Sequence, residues 1–233
     1  MMTSTKLLLI STSTVYGTGY LDHAEPQIRE IMGESRRVIF IPYALADRVA
    51  YAKKAGSRFE AMGFECKTID DYADPVRALD DADAVFVGGG NTFRLLKTLH
   101  EQGLVKAIKR RVEKGMIYMG ASAGSNVACP TIRTTNDMPI VEPPTLGALN
   151  LFPYQINPHY VDPDPDSKHM GETREERLLQ YLEENEGPVI GLREGAILCV
   201  KDGKVHLKGL RGARIFKKNR APEELTPPAE LII

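Results

Sequence analysis

Residues 116–124 read Met-Ile-Tyr-Met-Gly-Ala-Ser-Ala-Gly, an apolar run that leads directly into a Gly-x-Ser-x-Gly motif. Between a strand and a helix, such a motif forms a tight turn that lifts the serine hydroxyl above a sheet, and only small neighbours fit around it. The turn also places the next backbone N–H beside an attacked carbonyl. The pattern therefore predicts a strand at 116–119 and a nucleophile at Ser122; a packed glycine-rich turn is the alternative.

Apolar runs alternate with amphipathic stretches in the rest of the first half. Strands are predicted at 6–11, 37–41, 66–69 and 84–87, and helices at 21–32, 47–62, 91–101 and 104–114, with a short helix that begins at 74–75. This alternation is typical of a mostly parallel sheet sandwiched by helices, an α/β fold.

The second half has a different character. Segments 131–144 and 158–171 are rich in Pro, Asp and Thr and are predicted as loops, and 174–184 is predicted as a helix. Strands are predicted at 189–191, 196–200 and 204–207, with an Asp-Gly hairpin turn before the last. We therefore expect a C-terminal antiparallel addition, and one α/β domain over residues 1–233, because no repeat or linker is recognisable.

Composition excludes several classes of protein. The 233 residues are 42% hydrophobic and 26% charged, close to the globular average, and the formal net charge of -1 lacks the basic excess of a nucleic-acid binder. No run approaches the ~18 apolar residues of a membrane span. The three cysteines have no disulfide or zinc-ligand spacing, which indicates a reducing compartment. We expect a cytoplasmic protein without a metal site.

A second glycine-rich corner follows the predicted strand 84–87, where residues 88–92 read Gly-Gly-Gly-Asn-Thr. Glycines there allow a backbone N–H to approach a ligand closely. The N–H of Gly89 or Gly90, together with that of Ala123, would form an oxyanion hole, and the adjacent Asn91 is a candidate substrate-binding residue. A phosphate loop is the alternative, but the segment has neither the G-x-x-x-x-G-K-[ST] pattern of a P-loop nor the G-x-G-x-x-G pattern of a dinucleotide-binding loop.

A serine nucleophile needs a base, and the base needs an acid that orients it. His159 follows Tyr-Gln-Ile-Asn-Pro, a strand-like run that ends in a proline-fixed turn, and it is favoured over His169 in the Asp-rich loop. Asp137 lies between nucleophile and base along the chain, and Glu194 sits in a sharp turn between glycines. Either carboxylate could be the acid.

Four segments together resemble the peptidase E (α-aspartyl dipeptidase) family: 88–92, 120–126, 155–160 and 171–177. The resemblance extends from residue 6 to about residue 216. It implies a flavodoxin-like, class I glutamine amidotransferase-like fold in which serine replaces the cysteine nucleophile. It also implies cytoplasmic hydrolysis of dipeptides with a free N-terminal aspartate, without metal or cofactor. Ser122 would form the acyl-enzyme and His159 would be the base, with the acid at Asp137 or Glu194.

The expected partner is a small dipeptide, with no nucleic acid and no membrane; a homodimer is one option for the assembly. An aspartyl carboxylate needs a cation, and Arg174 and Arg177 share a face of the predicted helix. Ordinary surface pairing is the alternative for both. The acidic loop 162–166 would attract the substrate's α-ammonium and is expected to act as a lid.

Two other functions fit part of the pattern. An α/β-hydrolase-type esterase shares the turn, and the order Ser122, Asp137, His159 fits it, but an esterase would have a hydrophobic acyl pocket. A non-catalytic small-molecule sensor on the same fold is the second alternative. An intact serine, histidine and acid set argues against that sensor.

Overall fold

The computed structural model describes residues 5–232. Its first half contains β1 (Leu7–Ile10), α1 (Glu25–Met32), β2 (Arg37–Ile41), α2 (Arg48–Ala61), β3 (Glu65–Thr68), α3 (Pro75–Ala78), β4 (Ala84–Val87), α4 (Thr92–Glu101), α5 (Leu104–Glu113), β5 (Ile117–Ala121) and α6 (Ala123–Asn126). The second half contains β6 (Gln155–Tyr160), α7 (Arg174–Glu184), β7 (Val189–Arg193), β8 (Ala196–Lys201), β9 (Lys204–Gly209), β10 (Ala213–Phe216), β11 (Glu223–Leu225) and β12 (Ala229–Leu231). Single 3-10 turns lie at Asp22–Ala24 and Ile69–Asp71.

The central sheet of the described chain has the order β12-β9-β8-β1-β5-β4-β2-β3. Strands β1, β5, β4, β2 and β3 pair in parallel, and β8, β9 and β12 add antiparallel strands beside β1. The predicted α/β class, a mainly parallel sheet with a C-terminal antiparallel addition, is confirmed. The single-domain organisation over residues 1–233 stays a prediction, and residues 1–4 and 233 lie outside the described part.

Two hydrophobic cores cover the two faces of this sheet. Along β1, Leu7 and Leu9 enter one core and Leu8 and Ile10 enter the other, because successive side chains of a strand point to opposite faces. All four side chains are fully buried. This burial on both faces explains why the strand is a continuous apolar run rather than an alternating one.

A second, smaller sheet has the order β11-β10-β7-β6, whereas the sequence predicts one sheet with an antiparallel addition. Its β6 and β7 are parallel neighbours, so the predicted strand at 189–191 belongs here and not to the central sheet. Strand β6 also continues through Pro158 to Tyr160, where the sequence predicts a loop, and its register with β7 shifts between Asn157 and Tyr160. Proline is tolerated in strands at such irregularities.

The strand order determines where ligands can bind. Strand β5 lies between β1 and β4, so the segments that follow these three strands meet at one edge of the sheet. The carboxyl edge of parallel strands is where open α/β sheets form ligand crevices. Within residues 5–232, no helix is both long enough and apolar enough to cross a membrane.

Candidate active site

Ser122 forms a strained turn between β5 and α6. Its φ of 52° and ψ of -111° are unusual for a residue with a side chain, and such strain is typical of functional sites. A Cβ atom added to Gly120 would collide with the carbonyl of Gly124, and one added to Gly124 would collide with the carbonyl of Val87. Both glycines of the motif are therefore required by backbone contacts, which supports the predicted nucleophile turn over a merely flexible loop.

The buried Ser125 hydroxyl holds this turn to its surroundings. Its Oγ lies 2.8 Å from the carbonyl oxygen of Ile10 and 2.8 Å from that of Gly120. The backbone N–H of Ser122 donates to the carbonyl of Ile10 over 2.9 Å. The turn is thus joined to the end of β1, which keeps the Ser122 hydroxyl above the sheet edge.

His159 lies between Ser122 and Glu194. The Nε2 atom of His159 is 3.0 Å from Ser122 Oγ, and its Nδ1 atom is 2.9 Å from Glu194 Oε1. His159 is in β6 and Glu194 follows β7, so the pairing of these two strands brings acid and base together. With Nδ1–H donated to the carboxylate, Nε2 is free to accept the serine proton.

The structure places the two candidate acids differently. Within residues 5–232, Asp137 contacts Thr92 and not His159: its Oδ2 accepts hydrogen bonds from the Thr92 N–H, over 2.7 Å, and from the Thr92 hydroxyl. Asp137 nevertheless lines the pocket that contains Ser122. Glu194 therefore has the geometry of the orienting acid, whereas Asp137 is a pocket-lining residue bonded to Thr92.

Gly89, Gly90 and Ala123 line the same pocket as Ser122. A Cβ atom on Gly89 would lie 3.0 Å from Ser122 Cβ, so the Gly89 backbone passes directly beside the nucleophile. Gly90 has a φ of 134°, which a larger residue would adopt only with strain. The Ala123 N–H is at the first position of α6, where no intrahelical acceptor exists. These are the features that an oxyanion hole requires.

The pocket has a volume of about 840 Å³ and carries charges of both signs. Besides Asp137, the side chains of Asp47, Lys54 and Arg174 line it. Burial and then the neighbouring Arg177 lower the pKa of Arg174, while Asp137 opposes this. A guanidinium remains charged in proteins, so Arg174 presents a cation to the pocket.

Arg177 and Asn91, which are also candidate substrate-binding residues, are directed elsewhere. The Arg177 side chain is 57% exposed and its Nε lies 3.6 Å from Glu172 Oε2. Asn91 accepts a hydrogen bond from the Arg94 N–H at the start of α4 and donates one to the carbonyl of Met138. Among the described residues, neither side chain lines the pocket.

The acidic loop 162–166 is paired with Arg193. Asp162 forms a two-point ion pair with Arg193, with distances of 2.7 Å to both guanidinium nitrogens involved. This contact lowers the pKa of Asp162. No residue of 162–166 is among the described residues that line the pocket. Asp162 is thus engaged by Arg193, and a lid role for this loop stays a prediction.

The cysteines offer no competing nucleophile. Burial raises the pKa of the Cys66 and Cys129 thiols to about 12 and also raises that of Cys199. Reactive cysteines have lowered values, because the thiolate is the nucleophile. In the described part of the chain, no group of three or more His, Cys, Asp or Glu side chains is placed to hold a metal ion.

Comparisons with known proteins agree with this geometry. The family model of Peptidase family S51 matches residues 7–208. The chain is 51% identical over 225 residues to Peptidase E of Streptomyces coelicolor, which covers 97% of this chain and 93% of that protein. It is 44% identical to the probable alpha-aspartyl dipeptidase of Drosophila melanogaster, over 99% of this chain and 98% of the other.

A solved structure extends the likeness to the fold. A peptidase from an acI-B1 Actinobacterium superposes with a TM-score of 0.72 at 20% identity, over 99% of this chain and 97% of that one. An identity this low bears on the fold alone. The family is identified without the solved structure, because the family model matches most of the chain and both relatives match over nearly their full length. The expected resemblance is confirmed. The chain belongs to Peptidase family S51.

Proposed function

We propose that the chain is a serine dipeptidase that cleaves Asp-Xaa dipeptides with a free N-terminal aspartate through an acyl-enzyme on Ser122. The observation that carries this proposal is the continuous contact from Glu194 through His159 to Ser122, at the wall of a charged pocket. The name of the Drosophila melanogaster relative, a probable alpha-aspartyl dipeptidase, supports the choice of substrate. We place the reaction in the cytoplasm, where the three thiols would stay reduced.

The mechanism follows from the positions of these atoms. Ser122 Oγ attacks the carbonyl carbon of the aspartyl residue while His159 Nε2 accepts the hydroxyl proton, and Glu194 stabilises the imidazolium that forms. The N–H of Ala123 and that of Gly89 or Gly90 donate to the oxyanion. His159 then returns the proton to the leaving amine of the second residue. A water molecule, activated by the same imidazole, hydrolyses the aspartyl ester and releases Ser122. No step of this sequence uses a metal or a cofactor.

Opposite charges in the pocket account for the substrate. Arg174 would bind the side-chain carboxylate of the N-terminal aspartate, because a guanidinium makes a charge-assisted, two-point contact with a carboxylate. Asp137 would accept the α-ammonium, since it lines the pocket and its charge acts on Arg174. An esterase with a hydrophobic acyl site does not need this pair of charges, and a nitrophenyl ester should be a poor substrate beside Asp-Leu.

Replacing Arg174 with lysine tests the substrate assignment. Arg174→Lys keeps the charge but loses the planar two-point contact, so we expect kcat/KM for Asp-Leu to fall about 10- to 150-fold, the equivalent of one charged hydrogen bond. The matched variant is Arg177→Lys, on the same helix but outside the pocket, and it should stay within about twofold of the wild type. Steady-state hydrolysis of Asp-Leu measures both. Equal losses in the two variants, or none in Arg174→Lys, would place the carboxylate site elsewhere.

A further inference from the structure

His159 has a backbone conformation that residues with a side chain seldom adopt. Its φ is 53°, although His159 lies inside the strand β6, where the backbone is normally extended. The register between β6 and β7 is irregular at this point, between Asn157 and Tyr160. A left-handed residue within a strand persists only when its surroundings hold it there, and such residues concentrate at functional sites.

The peptide unit that joins Pro158 to His159 is held at both ends. The N–H of His159 donates to Ser11 Oγ over 3.0 Å, and the carbonyl oxygen of Pro158 accepts from Asn136 Nδ2 over 2.6 Å. These two groups belong to one planar unit and point in opposite directions, because the peptide bond is trans. Ser11 and Asn136 therefore hold the same peptide plane from opposite sides.

This arrangement opposes one particular motion. Rotating the peptide plane by half a turn changes ψ of Pro158 and φ of His159 together. It would carry φ of His159 from 53° into the extended region that is allowed for every residue. The rotation would relieve the backbone strain. The His159 side chain would shift only slightly with it, but both imidazole nitrogens lie at hydrogen-bond distance from their partners, 3.0 Å from Ser122 Oγ and 2.9 Å from Glu194 Oε1, so a small shift already misplaces the base. Both hydrogen bonds to the peptide unit would have to break for the rotation to occur.

Ser11 also links the base to β7, the strand that Glu194 follows. Its side chain is fully buried, and Oγ donates to the carbonyl of Leu192 over 2.9 Å, two residues before Glu194. One hydroxyl thus accepts from the backbone of His159 and donates to β7. On the other side, Asn136 Oδ1 accepts from Asn157 Nδ2 over 2.7 Å, so the second contact is itself fixed by the chain that precedes the base.

We propose that Ser11 and Asn136 are positioning residues that lock the Pro158–His159 peptide, and thereby hold the imidazole in line between Glu194 and Ser122. The proposal rests on the proposed roles of those three side chains. It assigns no contact with the substrate to Ser11, which is not among the described residues that line the pocket.

Ser11→Ala is the direct test. We expect kcat for Asp-Leu to fall about 10- to 100-fold, because a misplaced catalytic group costs rates of this order, while KM stays within about twofold. Inactivation of Ser122 by a fluorophosphonate should slow by a similar factor, since this reaction also needs the base. The control is Thr98→Val, which removes another buried hydroxyl, bonded to the carbonyl of Arg94 within α4. It should leave kcat and the inactivation rate unchanged.

Asn136→Ala is the second test, in case Ser11→Ala does not fold. Its readout is the rate of inactivation by the fluorophosphonate, because Asn136 also lines the pocket and its loss can change KM for the dipeptide directly. If both single variants fold, the double variant should lose little beyond the worse single one, since both residues hold one peptide. Wild-type rates per folded molecule in Ser11→Ala, or fully multiplicative losses in the double variant, would overturn the proposal. A wild-type protein that reacts with the fluorophosphonate but leaves Asp-Leu intact would refute the substrate alone.

Discussion

Ser122→Ala is expected to lower kcat/KM for Asp-Leu by about 10⁴- to 10⁶-fold, which is the usual loss when the nucleophile of a catalytic triad is removed. The side chain becomes smaller by one oxygen, and its backbone N–H keeps its hydrogen bond to Ile10. The free energy of unfolding should therefore change little. Initial rates of dipeptide hydrolysis and urea unfolding curves measure the two quantities.

Ser57→Ala is the matched control for this variant, because Ser57 is an exposed serine on α2 outside the pocket. It should retain wild-type rates and stability. Activity of Ser122→Ala above a tenth of the wild type would remove Ser122 from the mechanism and would favour the non-catalytic sensor or a different site.

Glu194→Gln is expected to lower kcat by about 10²- to 10⁴-fold with little change in stability. An amide in place of the carboxylate favours the wrong imidazole tautomer and no longer stabilises the imidazolium. Stability should be insensitive because the Glu194 side chain is 56% exposed, and exposed ion pairs contribute little. Steady-state kinetics with Asp-Leu at several substrate concentrations separate the effect on kcat from that on KM.

The comparison variant is Asp137→Asn, which should act mainly on KM. Asp137 faces the pocket and is bonded to Thr92, so its loss of charge weakens substrate binding rather than the base. The opposite ranking of the two variants on kcat would transfer the role of the acid to Asp137. Equal large losses of kcat would mean that Asp137 also organises the site during the reaction.

Features that follow from local sequence patterns could be predicted. Seven of the eight strands of the central sheet and the strand-turn-helix around Ser122 agree with the prediction, because a doubly buried strand and a Gly-x-Ser-x-Gly turn are both expressed within a few neighbouring residues; the last strand, β12, is not predicted. His159 was favoured for the same reason. The position of the glycines at 88–90 at the carboxyl edge of the sheet is also predicted, because they follow a parallel strand and parallel strands end at the same edge.

Features that depend on distant contacts could not be predicted. The contact between His159 and Glu194 spans 35 residues and exists only because β6 and β7 pair in a second sheet. Proline at position 158 indicated a turn, whereas a shift in register allows the strand to continue. The bond from Ser11 to His159 spans 148 residues, so a short motif search has no signal for it.

Helical spacing was also too coarse to separate two arginines. Arg174 and Arg177 are three residues apart and share a face of α7, yet Arg174 lines the pocket and Arg177 pairs with Glu172 at the surface. Periodicity assigns both side chains to one face of the helix and does not determine which of them reaches the pocket. Similarly, the acidic composition of 162–166 suggested a binding role, but Asp162 is engaged by Arg193.

The ratio of kcat/KM for Asp-Leu to that for Asn-Leu tests the central claim most directly. Asparagine keeps the shape of aspartate but loses the charge, and a charge site left without its partner costs ~2–5 kcal/mol, or roughly 30- to 4000-fold. We predict that the wild-type enzyme prefers Asp-Leu by a factor in this range. Comparable rates for the two dipeptides would contradict the assignment of this chain as an aspartyl dipeptidase.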